Sequence, residues 1–83
     1  MKAELEKWKE GWLGVSLGLR NEEIDHLITL LQEIRKDNDQ HFHISSDCKG
    51  EPGLGGIEIY AKSDAEDDNM YFSSLAMAPG EKI

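Results

Sequence analysis

Only one stretch of this chain repeats its apolar residues at helical spacing, and segments that alternate with a period of two lie on both sides of it. Ile24, Leu27, Ile28, Leu31 and Ile34 form one stripe with Leu30 on its flank, while Asp25, Gln32, Glu33 and Arg35 face away. Asn21 is suited to cap the first turn, and Glu22 and Glu23 sit where the helix dipole is positive. Lys36-Asp37-Asn38-Asp39 supplies a cation and turn-forming residues at the other end. A lone helix with one apolar stripe has to bury it against a sheet, so the sequence predicts an α+β fold.

The alternating segments define that sheet. Leu13, Val15, Leu17 and Leu19 fall on one face of a strand, with Trp12, Gly14, Ser16 and Gly18 on the other. After the helix, Phe42 and Ile44 oppose His41, His43 and Ser45, and Ile57, Ile59 and Ala61 oppose Glu58, Tyr60 and Lys62. Residues 48–56, with four glycines and Pro52, read as a loop, and so does the acidic run at 63–69. Residues 2–8 carry Ala3 and Leu5 among charges and, with Lys9-Glu10-Gly11 as a turn, predict a first hairpin; a short amphipathic helix competes there. Residues 70–77 are apolar on both faces, as a central or partner-packed final strand would be. The expected architecture is a single domain over residues 1–83. It has a four- to five-stranded antiparallel sheet with one helix packed on one face, in the order β(β)αβββ.

A chain of 83 residues is close to the size at which one core barely suffices, so homo-oligomerisation is expected. The net charge of −8 opposes a broad grip on nucleic acid or an anionic membrane and suits a basic protein partner. No apolar run approaches the roughly 20 residues of a membrane span, and no signal-peptide block opens the chain; the expected location is cytoplasmic. Cys48 is the only cysteine, which excludes an internal disulfide and a thiolate zinc site.

If the helix covers Leu13, Val15, Leu17, Leu19, Phe42, Ile44, Ile57 and Ile59, the opposite face presents Trp12, Ser16, His41, His43, Ser45, Glu58, Tyr60 and Lys62. Aromatic plates mixed with hydrogen-bonding groups suit a ligand or partner site. A hydrated sheet face or a dimer seam explains the same residues. His41 and His43 stand about 7 Å apart along one strand face, and a metal would need a third ligand, for which Glu58 is the nearest by face. No acid-rich or second histidine cluster accompanies the pair, so no metal and no cofactor are expected. His43-x-Ser45 matches half of a two-histidine phosphoesterase motif, and one copy cannot place both acid and base. No nucleophile, base and orienting group can be assembled elsewhere, so the chain is not expected to be an enzyme.

The segment His41-Phe42-His43-Ile44-Ser45-Ser46-Asp47, followed by Gly53-Leu54-Gly55-Gly56-Ile57-Glu58-Ile59, resembles the immunity proteins of bacterial polymorphic-toxin systems, most nearly the family called immunity protein 32. The likeness runs from the helix to Lys62, about half the chain, and does not extend over residues 70–83. It implies a non-enzymatic protein that neutralises a protein toxin by binding it. The size and architecture are also similar to small phage anti-defence sponges, oligomers that sequester a cyclic nucleotide or ADP-ribose-type signal. That likeness implies base stacking on Trp12, Tyr60 or Tyr71 and phosphate contacts from His43, Lys62, Arg20 or loop amides.

Overall fold

The computed structural model describes residues 1–72. Its elements are β1 (Lys2–Lys7), a 3-10 turn (Lys9–Gly11), β2 (Leu13–Gly18), α1 (Asn21–Lys36), β3 (His41–Ser45) and β4 (Gly56–Tyr60). The α+β class and the antiparallel pairing agree with the sequence reading, but the strands do not share one sheet. Among the described residues β1 pairs only with β2, and β3 only with β4, so two separate two-stranded sheets flank the helix in the chain. Period-two alternation fixes which way side chains point, whereas the neighbour of each strand depends on long-range backbone pairing that the pattern does not encode. The expected last strand is not formed at Met70, Tyr71 or Phe72, and residues 73–77 lie outside the described part. Among the described residues, no helix is long and apolar enough to cross a membrane.

The first hairpin closes through Trp8 N–H donating to the Trp12 carbonyl at 2.8 Å. Glu10 (φ 64°) and Gly11 (φ 86°) both take left-handed backbone, the twist a tight hairpin turn requires; glycine adopts it freely and glutamate at a cost. The hairpin, rather than the competing short helix, is what forms. The 3-10 turn is confined to its tip.

α1 begins one residue earlier in its capping than the sequence suggests. Arg20, extended at φ −75° and ψ 160°, is the cap residue, and Asn21 is already helical. Arg20 N–H donates to the Glu23 carboxylate at 3.0 Å, and Glu23 N–H donates to the Arg20 carbonyl at 3.0 Å. Glu23 thus takes the capping role expected of Asn21. It also receives Arg20 Nε at 3.3 Å and the Met1 ammonium at 3.0 Å, which ties the start of β1 to the start of the helix. The helix ends as expected, with Asn38 Nδ2 donating to the Ile34 carbonyl at 2.8 Å.

Burial departs furthest from expectation. Ile34, 8% exposed, is the one buried apolar residue among those described. The covered line of the helix runs through Leu27, Leu30 and Ile34, and Ile34 borders a shallow hollow with Phe42 at the start of β3. Ile24, Ile28 and Leu31, expected at the centre of the buried stripe, are exposed, and so are Leu13 and Val15 of β2. Among the described residues each sheet has only two strands, too little sheet to cover a stripe wider than one row of side chains.

Candidate functional site

The β3–β4 hairpin places its side chains as alternation demands. Phe42 pairs with Ile59 and Ile44 with Ile57 on the half-buried face; His41 pairs with Tyr60, His43 with Glu58 and Ser45 with Gly56 on the exposed one. On that open face the two imidazoles meet edge to face, with ring centroids 5.1 Å apart and planes at 89°. One ligand atom from each of His41, His43 and Glu58 lies within 4.8 Å of the others. None of the three side chains makes a hydrogen bond or ion pair to another described residue.

At the rim of this face a latch is built from the loop after β4. The Tyr60 hydroxyl donates to Glu66 Oε2 at 2.6 Å, and Ser63 N–H donates to Glu66 Oε1 at 3.4 Å. Lys62 Nζ reaches the Glu66 carbonyl at 2.7 Å, the Ser63 carbonyl at 3.1 Å and Asp68 Oδ1 at 3.1 Å. The phenol is therefore held above its usual 10.0, chiefly because ionisation would break the bond to the Glu66 carboxylate, then by that carboxylate's charge. Glu66 is pulled below the ordinary carboxylate value, first by that same hydroxyl and then by the Ser63 N–H. Lys62, expected to reach for a ligand, spends its ammonium donors on the loop.

The structure divides the single open face expected from the sequence into two surfaces. His41, His43, Ser45 and Tyr60 share one sheet, with Lys62 just beyond it. Ser16 belongs to the other, where it pairs with Glu4 and shares a side with Gly14 and Glu6, and Trp12 lies just before that strand at the hairpin turn beside Trp8. Tyr71 is 89% exposed and lies on neither sheet. The split follows from the two hairpins failing to pair, which leaves no shared plane for the two groups.

Trp8 is a site residue that the sequence reading passed over. It stands opposite Trp12 at the hairpin end, and its indole lies so close over Gly14 that a Cβ there would come within 2.7 Å of Cζ2. Both tryptophans are exposed, Trp8 at 56% and Trp12 at 71%. The signal was its parity: Glu4, Glu6 and Trp8 fall on one side of a strand by the same alternation used for β2.

A second feature lies at the loop end of the β3–β4 hairpin. A cleft of about 820 Å³ is bounded by residues 44–57, which include the glycine-bearing loop, and by Met1, Lys2, Ala3 and Leu17 of the first hairpin. The loop is shaped by Ser46 N–H donating to the Gly55 carbonyl at 2.9 Å and by left-handed backbone at Cys48 (φ 58°) and Gly50 (φ 82°). Of the groups expected to stack a base or hold phosphate, Trp12, Tyr60, Tyr71, His43, Lys62 and Arg20 do not border it, whereas the loop amides do. Comparison of the chain with protein-family models, with curated proteins and with solved structures finds no match.

Proposed function

We propose that this chain is a non-enzymatic binding protein that neutralises a protein toxin by covering it, as an immunity protein does. The observation that carries the reading is the tip of the first hairpin, where Trp8 and Trp12, joined by a backbone hydrogen bond, are exposed at 56% and 71% next to the strands that carry Glu4 and Glu6. Large aromatic side chains supply most of the binding energy in protein interfaces, and a rim of carboxylates steers a basic partner into register. The net charge of −8 acts in the same direction at longer range. The exposed row Ile24, Ile28 and Leu31 offers further apolar area to a large partner, which a small ligand has no means of covering.

A second reading, a sponge for a cyclic nucleotide or ADP-ribose-type signal, is favoured by one feature, the cleft of about 820 Å³. Its border carries Lys2, Lys49 and loop amides, so phosphate contacts would come from these groups rather than from His43 or Lys62.

The test is co-expression with the toxin encoded beside the gene. Wild-type chain is expected to restore growth and to co-purify with the toxin. Trp8→Ala and Trp12→Ala are expected to lose both while keeping the far-ultraviolet spectrum of the fold. Failure of wild type to protect, combined with a rise in melting temperature on adding a cyclic dinucleotide and intact release of that ligand on denaturation, would replace the toxin reading with the sponge.

A further inference from the structure

We propose that His41, His43 and Glu58 form a binding site for one divalent transition-metal ion of the zinc class. Spacing alone argued against a metal, since two histidines on a strand are too few. The register, which spacing does not give, sets Glu58 directly across from His43 on the neighbouring strand, with His41 two residues along on the same face. A strand pair fixes its side chains more firmly than a loop, so three donors arrive on one face without any backbone rearrangement.

The donor set selects the ion. Two imidazole nitrogens and a carboxylate oxygen match the borderline preference of zinc and its neighbours. Calcium and magnesium require mostly oxygen donors, and copper(I) requires sulfur, which Cys48 does not bring to this face. Around a tetrahedral ion with bonds of about 2.0–2.1 Å, donor atoms stand roughly 3.3 Å apart. The three present atoms lie within 4.8 Å of one another, so binding closes the triangle by up to roughly 1.5 Å. All three side chains are exposed, and such side chains make that movement by rotation about their own torsions.

Two further features favour a cation. The carboxylate of Glu66, bonded to the hydroxyl of Tyr60 across from His41, adds negative charge close by, and the chain as a whole carries −8. The open side of the triangle faces outward, which leaves a coordination position for water. Metal binding here is independent of toxin binding, and its test involves no partner protein.

The experiment uses the full chain without a histidine tag, titrated with cobalt(II) and followed by visible absorption, and melted with and without zinc. One cobalt per chain is expected, with the d–d bands of a four- or five-coordinate site, together with a rise of several degrees in melting temperature on adding zinc. His43→Ala and Glu58→Gln are expected to weaken binding by at least roughly tenfold. His26→Ala, on the helix, and Cys48→Ser are expected to leave it unchanged. No cobalt bands and no zinc shift in the wild type, or bands that survive His43→Ala, would overturn the proposal. Circular dichroism of the metal-free variants separates loss of ligands from loss of fold.

Discussion

Replacing the same residue type at two positions of one helix tests whether the exposed stripe is truly uncovered. Ile34 is 8% exposed and Ile28 is 49% exposed, and both lie within α1, so truncation to alanine removes the same atoms and yields the same gain in helix propensity of about 0.4 kcal/mol. At about 0.8 kcal/mol per methylene, nearly complete burial at Ile34 corresponds to about 2.2 kcal/mol of lost transfer energy, and a residual cavity brings the cost to about 3 kcal/mol. At Ile28 half of the surface is already wet and no cavity forms, so the loss is about 1.2 kcal/mol. After the propensity gain, Ile34→Ala is expected to cost about 2.5 kcal/mol and Ile28→Ala about 0.8 kcal/mol. Urea unfolding followed by circular dichroism reads this directly. With a slope of about 1 kcal/mol/M, the midpoint falls by about 2.5 M for Ile34→Ala and by less than about 1 M for Ile28→Ala. Equal costs at the two sites would refute the reasoning, and a midpoint that also rises with protein concentration would identify a second copy as what covers Ile28.

Two further outcomes follow from the backbone and from charge. Gly11→Ala is expected to cost about 1 kcal/mol in the same urea experiment, because φ of 86° is strained for a side chain while nothing within 4 Å obstructs the added methyl; an unchanged midpoint would mean that the turn relaxes. Glu23 is held down from 4.5 to about 2, first by the Arg20 N–H and then by the Met1 ammonium and the Arg20 guanidinium. A carboxyl depressed on folding contributes stability that is fully present above its unfolded value and fades as pH falls through the folded one. Wild type is therefore expected to exceed Glu23→Gln in stability at pH 6 and to converge with it as pH falls from about 4.5 toward 2. A gap that stays constant down to pH 2 would show that Glu23 acts by shape and not by charge.

What could be read in the sequence was what local rules control. The ends of α1, the tip of the first hairpin and the two faces of β3 and β4 follow from capping, turn chemistry and alternation, each of which acts within a few residues. Merging the two hairpins into one sheet did not follow, because an exposed alternating strand is compatible with any edge neighbour. The helix was correctly located, yet Ile24, Ile28 and Leu31 of its expected buried stripe are exposed and Leu30 of the flank is covered, because apolar spacing does not reveal how much sheet is available to cover it. At the site, parity placed His41, His43 and Glu58 together and would have placed Trp8 beside Trp12. The engagement of Lys62 depended on how the 63–69 loop folds back, and its run of acids reads equally well as solvated.

Because each sheet holds only two strands, every strand in the described chain is an edge on one side. In such a ladder the amides of alternate residues point inward to the partner strand and the rest point outward to water. Isotope labelling should therefore mark β1 to β4 with a two-residue stripe of fast and slow exchange, while α1 is protected continuously beyond its first turn. A partner that docks by adding a strand would erase the stripe along one edge, whereas a partner gripping the tryptophans would leave it intact; the labelling pattern alone would then identify how the chain is held.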